Sequence, residues 1–249
     1  MDENIFPHIL RRPRAALRLF CLPYAGANAA YYRSWAPYLP DNVELWPVEL
    51  PGRGTRFSAP LQQDMDLLVR DLARAVVQNS DIPFVLFGHS MGSAIAFALA
   101  LELKKLGRLP AMVVCSGRSA PHRIKIRNIH KSPDSDIIAE MTRLGGTPAE
   151  VLESAELMEL VLPIVRNDYT LIETYKPKPA HRIESPLLVL CGKDDLDAPP
   201  ESLEAWRDLT TGRMKLSLFD GDHFYLNDQK HAIISAIMHN LESIRKTVA

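Results

Sequence analysis

The chain has 249 residues, 47% of them hydrophobic and 24% charged, which is enough apolar material for one sizeable core and too much for a disordered or fibrous chain. With 29 Lys+Arg against 30 Asp+Glu the formal charge is −1, so no overall field draws the molecule to nucleic acid or to an anionic membrane. Three cysteines, Cys21, Cys115 and Cys191, fall inside apolar runs at spacings that suit neither a disulfide framework nor a zinc site, the expectation for a reduced, cytoplasmic protein.

The first residues, MDENIFPHILRRPRAALRLF, begin with acids and scatter proline and arginine, so no signal peptide is expected; no later segment reaches the ~18 apolar residues of a membrane span. LRLFCL (17–22) is the first predicted strand and VELWPV (43–48) the second. A helical pattern over about 64–79 leads to the strand FVLFG (84–88), a helix over about 91–106 and the strand MVVCSG (112–117). The strand LLVLCG (187–192), a helix over about 199–209, the strand KLSLF (215–219) and a helix over about 228–246 complete the series. Short apolar runs alternating with helices predict a doubly wound, mostly parallel sheet covered on both faces, in a single domain over 1–249.

An insertion over 118–182 breaks this rhythm, because a simple crossover needs far fewer residues. Its middle, ELMELVLPIVRNDYTLIETY (156–175), places Leu157, Leu160, Val161, Ile164, Val165 and Ile172 near helical spacing, with Pro163 as a kink or helix break. Inserted here, the helices would stand above the carboxyl ends of the strands, where such sheets bind ligands. A helical lid is therefore expected, with Leu160 and Ile164 touching substrate. The insertion opens on RSAPHRIKIRNIHK (118–131), with Arg118, Arg123, Lys125, Arg127 and Lys131 and no acid. This local positive run is a candidate docking surface through Arg123, Lys125 and Arg127.

Between the strand ending at 88 and the helix beginning at 91 stands Gly88-His89-Ser90-Met91-Gly92, a G-x-S-x-G. A tight strand-to-helix turn lifts the serine hydroxyl above the sheet, and flanking glycines remove side chains that would collide with the crossing backbone. Ser90 is the candidate nucleophile. A serine needs a histidine base, and the base needs a carboxylate to hold its tautomer. In an α/β-hydrolase both follow the serine, acid first. KDDLD after LLVLCG offers Asp194, Asp195 and Asp197, and DGDHFYL after KLSLF offers His223; the other histidines lie in the elbow, before the core, in or beside the insertion, or on the last helix. The N–H of Met91, at the helix start, is one expected oxyanion donor. The loop PYAGAN after the first strand supplies the other, with Ala25 preferred and Tyr24 the near alternative. Tyr24 and His89 are candidate substrate contacts.

These residues resemble the type II thioesterases that accompany nonribosomal peptide and polyketide synthases, related to the thioesterases of fatty-acid synthesis. The resemblance runs through LFCLPYAGANAAYYRSW, VELPGRGTRF, FVLFGHSMGS, LGGTPAEVLE, VLPIVRNDYTLIETY, SPLLVLCGKDD and FDGDHFYL, nearly the whole chain. It implies Ser90 and His223 as catalytic and, three residues past Gly192, Asp195 as the acid. Ala27 and Asn28 stand where the family often has glycine and serine, and Ser93 where a further glycine is frequent. The resemblance further implies hydrolysis of acyl thioesters on the phosphopantetheine arms of carrier proteins, with no metal or diffusible cofactor. The partner would be an acyl or peptidyl carrier domain, not nucleic acid or membrane, and the protein a monomer. A general carboxylesterase, an acyltransferase and a non-catalytic hydrolase-fold binding protein are the competing readings. The absence of an HGGG loop weighs against the first, and the intact triad positions against the last.

Overall fold

The structure, a computed structural model, describes residues 5–177 and 181–248. Six strands, β1 (Leu17–Leu22), β2 (Val43–Pro47), β3 (Phe84–His89), β4 (Met112–Ser116), β5 (Leu187–Gly192) and β6 (Met214–Phe219), form one sheet. Every pairing is parallel and the order is β2-β1-β3-β4-β5-β6. Strands β1 to β5 are buried along their whole length, as their unbroken apolar runs require when both faces are covered.

Two helices, α1 (Met65–Gln78) and α2 (Met91–Lys105), pack on one face. In α1 an amphipathic stripe of Met65, Leu68, Leu72 and Val76 turns inward, and the Asp64 carboxylate caps the first turn by accepting the Leu67 N–H. Helix α2 is alanine-rich and buried for most of its length, so it can lie close behind β1, β3 and β4. The insertion forms α3 (Asp134–Leu144), α4 (Ala149–Leu152) and α5 (Ala155–Thr174), and its Ile129, Ile137, Met141, Met158 and Val165 make a small core of their own. The lid predicted over 118–182 includes 178–180, which lie outside the described residues. There is no break at Pro163: α5 runs on, since Pro163 is exposed and so is Glu159, whose carbonyl loses its helical partner to water at little cost.

The helix expected over 199–209 is α6 (Pro200–Glu204) followed by a 3-10 segment, Ala205–Leu209. Against the opposite face of the sheet pack α7 (Lys230–Val248) and a second 3-10 segment, Ala29–Tyr38, which periodicity did not predict. Tyr32 and Trp35 anchor that segment against Phe87, and the Asn28 side chain caps it by accepting the Ala30 N–H. The three cysteines are buried and free. Among the described residues no helix is long and apolar enough to cross a membrane.

The chain leaves β1 for β2 on one side and returns to β3 on the other, so β1 and β3 flank a switch point, where the loops beyond the strand ends open a crevice. Leu22 pairs with Gly88 across it, setting the loop after β1 beside the turn after β3. At the other end Gly192 pairs with Phe219, which sets the loops carrying Asp195 and His223 side by side.

Candidate active site

Ser90 sits at φ 52° and ψ −114°, a strained conformation for a residue with a side chain, between the end of β3 and the first residue of α2. The glycines that bracket it are sterically required. A Cβ on Gly88 would lie 1.9 Å from the Gly92 carbonyl oxygen, and one on Gly92 would lie 2.3 Å from that of Leu22. The Ser90 N–H donates to the Ser116 carbonyl at 2.8 Å. Ser93, the departure from a frequent glycine, locks the same junction: its hydroxyl donates to Gly88 O or Ser116 O (2.9 and 2.8 Å) and accepts the Ser116 N–H at 2.9 Å.

Of the three acids after β5, it is Asp195 that meets His223. Its Oδ2 lies 2.8 Å from Nδ1, while its Oδ1 accepts the Asp197 N–H at 3.0 Å. Burial alone would raise the Asp195 pKa, but the hydrogen bond and charge of His223, with the Asp197 N–H, outweigh it and hold the carboxyl below its usual range. The ionised acid keeps the proton on Nδ1 and leaves Nε2 free to act as a base. Asp194 is exposed, and the Asp197 carboxylate pairs with Arg143 at 2.7 Å. Gly192 is required here too, because a Cβ would lie 2.2 Å from Asp222 O in the loop that presents His223. One ligand atom each of the described residues Asp195, Asp197 and His223 lies within 4.8 Å of the others, with Asp195 hydrogen-bonded to His223 and Asp197 paired with Arg143. Ser90 and His223 line the same cavity without a direct hydrogen bond; such bonds between a nucleophile and its base are often long in the absence of substrate.

In the loop after β1, Gly26 takes the left-handed φ of +80° and gives its N–H to Asp168 Oδ2 at 2.8 Å, and the Ala27 N–H goes to Tyr24 O. The N–H groups of Tyr24 and Ala25 have no acceptor among the described residues, and both residues line the cavity with Ser90. Ala27 has a negative φ, so its methyl replaces a glycine without strain. Asp168, on α5, also forms a two-pronged ion pair with Arg53 (2.7 and 2.6 Å), wholly buried, and Arg53 reaches the Ala27 carbonyl at 3.3 Å. This anchor escaped sequence analysis; its residues appeared only inside the resembling segments PGRG and RNDY.

The cavity encloses about 420 Å³ between the sheet and the insertion. Its lid wall is Val165, Tyr169 and Ile172, not the pair expected. Leu160 is 53% exposed and Ile164, half-buried, lies off the cavity, because α5 docks with the face one turn-step round from them. Tyr24 lines the cavity, but His89 does not. The His89 ring is fully buried 5.0 Å beneath that of His223, with Nδ1 2.8 Å from Ser116 Oγ, which in turn lies 2.7 Å from the Tyr225 hydroxyl. Burial holds its pKa well below the usual value, so it is a neutral ring packed against His223, and it does not line the cavity. Of the predicted docking residues, Arg123 and Lys125 are exposed on the rim, whereas Arg127 spends its charge on Glu140 in a two-pronged pair (2.7 and 3.0 Å). A larger cavity, about 620 Å³, lies away from these groups between α1, α2 and the segment after α5.

The profile of the thioesterase domain family matches residues 17–241. Thioesterase PikA5 of Streptomyces venezuelae is 37% identical over 233 residues, 92% of this chain and 82% of that protein. A Streptomyces griseus protein named for cadicidin biosynthesis is 37% identical over 234 residues, 94% of this chain, which spans only 65% of that protein's length. The type II thioesterase BorB from the borrelidin biosynthetic cluster superposes with a TM-score of 0.85 at 33% identity, covering 95% of this chain and 98% of BorB. With that match running from β1 into α7, through the elbow and the acid and base loops, the chain belongs to the thioesterase domain family and is a thioester hydrolase of α/β-hydrolase fold.

Proposed function

We propose that the chain hydrolyses acyl thioesters carried on the phosphopantetheine arms of acyl or peptidyl carrier proteins, clearing stalled or misprimed groups from a synthase. The observation that carries this reading is the 2.8 Å Asp195–His223 hydrogen bond facing the same cavity as the strained Ser90. His223 Nε2 takes the Ser90 proton as Oγ attacks the thioester carbonyl. The oxyanion gathers on the N–H groups of Met91 and Ala25, the thiol leaves with the proton from His223, and an acyl-serine remains. Water, deprotonated by His223, then releases the acid. No metal or diffusible cofactor takes part, since the arm belongs to the substrate. Support for a carrier-linked role comes from relatives such as BorB, a type II thioesterase by name.

The test compares acyl-loaded carrier protein, the same acyl group on free pantetheine, and a p-nitrophenyl ester. A carrier thioesterase favours the first in kcat/KM; preference for the ester would make the chain a general esterase. Reversal of Arg123 and Lys125 to Glu is expected to raise KM for the carrier substrate about tenfold and to leave the pantetheine thioester nearly unchanged, with added salt bringing wild type toward the variant. Arg127 is left out of this test because reversing it would break the Glu140 pair. A KM that moves equally for both substrates, or for neither, would remove the docking role.

The lid wall makes a separate prediction. Ile172→Asn should lower kcat/KM roughly tenfold on long acyl chains relative to acetyl, while Leu160→Asn on the solvent side changes neither. Equal losses on acetyl and long-chain substrates would make α5 a plain structural helix.

A further inference from the structure

Four cations line the cavity beside Ser90: Arg123 and Lys125 are exposed on its rim, Arg127 is paired with Glu140, and Arg118 has neither an exposed position nor a carboxylate partner among the described residues. Arg118 follows β4 by two residues, and the Ser116 carbonyl just before it accepts the Ser90 N–H, so the backbone carrying Arg118 is fixed against the nucleophile turn. That backbone has little freedom. Gly117 takes φ +60°, and a Cβ there would lie 2.4 Å from His89 Cε1; the Arg118 carbonyl accepts the Trp206 indole N–H at 2.8 Å. The side chain is thereby committed to the cavity, which it lines.

Within the cavity Arg118 has no acid of its own. Its Nε is sealed from solvent without an acceptor, and among the described residues no carboxylate pairs with its guanidinium. The acids along the same wall are taken by other groups. Glu140 is held by Arg127 and Arg143, Asp197 by Arg143, and Glu173 by His130 Nδ1 at 2.5 Å together with the N–H groups of Ile129 and His130. Burial lowers the Arg118 pKa to about 10, so it is still protonated at neutral pH. A half-buried guanidinium whose Nε is sealed off without an acceptor costs stability, and a chain that needed only an apolar acyl pocket would do better with a hydrophobic side chain there. Apolar side chains, Met141, Leu144, Val165 and Ile172, line the cavity with Arg118, and the acids of the wall are engaged by the partners just named.

We propose that Arg118 is an acyl-specificity residue whose guanidinium receives a carboxylate on the acyl chain, so that the cavity favours carboxyacyl thioesters. This deepens the thioesterase reading and rests on it. The carbonyl end of the chain sits at Ser90 and the carboxylate end at Arg118, in the paired-fork geometry that a guanidinium offers and an ammonium does not.

The test compares succinyl-pantetheine with 4-methylpentanoyl-pantetheine, its apolar isostere, on wild type, Arg118→Met and Arg118→Lys. The ratio of kcat/KM, succinyl over 4-methylpentanoyl, is expected to fall about 10- to 100-fold in Arg118→Met, the worth of a charged hydrogen bond, and to recover in part in Arg118→Lys. An unchanged ratio overturns the proposal. So does an equal loss on both substrates, which would put Arg118 against the pantetheine arm or in a structural role. Calorimetric titration with succinate supplies a readout that needs no turnover: wild type binds it and Arg118→Met does not. If wild type cleaves neither thioester, nor the same acyl groups on carrier protein, the proposed function fails, while the titration still decides whether Arg118 receives a carboxylate. Identical titrations of the two proteins would sink it.

Discussion

Ser90→Ala and His223→Ala are expected to fold as wild type and to lose on the order of 10⁶ in kcat, since either change disables the nucleophile as completely as removing the whole triad. The Ser90 side chain makes no hydrogen bond among the described residues, so its removal costs no native contact. Asp195→Asn should lose about 10⁴, because an amide no longer enforces the Nδ1–H tautomer or stabilises the imidazolium. Asp194→Asn is expected to be silent, and Asp197→Asn to be mild because the acid anchor it gives Asp195 is its backbone N–H. Ser90→Gly adds a structural check: relief at φ 52° should raise the unfolding free energy by about 1 kcal/mol while abolishing activity. Each variant is measured by thioester turnover and urea unfolding. A requirement for Asp194 in place of Asp195, or a Ser90→Ala enzyme that still turns over, would break the assignment.

Much of this arrangement was legible in the chain because local sterics dictate it. The six strands announce themselves as apolar runs, and Gly88, Gly92 and Gly192 mark places where two backbone segments cross within a Cβ radius. That His223 meets one of the acids after β5 could be anticipated because it follows the last strand, beside the loop that carries them. The acid could not be chosen by chemistry alone, since Asp194, Asp195 and Asp197 share one short loop and only its curl decides which carboxylate turns inward. What stayed hidden depends on docking. The face of α5 that meets the cavity is set by how the insertion settles on the sheet, so a helical period common to Leu160, Ile164 and Val165 could not say which of them points in. The Arg127–Glu140 pair joins a loop to α3 across 13 positions, and a basic run read as free charge therefore proved partly spent. The segment Ala29–Tyr38 has no α-helical stripe because it is 3-10 in form.

Asp168→Ala is expected to cost about 3–5 kcal/mol of stability, because it strands the Arg53 guanidinium, 3% exposed, without a counter-ion. The change should also lower kcat by about 10²–10³, the range for a lost oxyanion donor, through a route separable from stability. Asp168 Oδ2 is the only acceptor for the Gly26 N–H among the described contacts, and Gly26 follows Ala25 directly, so the carboxylate fixes the orientation of the peptide groups proposed to meet the oxyanion. It does this from α5, a helix of the insertion, and so ties the insertion to the proposed oxyanion loop. The double variant Arg53→Met/Asp168→Leu distinguishes the two effects. An apolar pair of similar size in a dry site should recover most of the stability, yet it offers Gly26 no acceptor, so kcat stays low with KM little changed. Urea unfolding and kcat on one acyl-pantetheine substrate read the two quantities. If the double variant regains full turnover together with stability, the carboxylate holds only the fold; if Asp168→Ala keeps wild-type kcat while losing stability, the oxyanion loop is positioned by something other than this anchor.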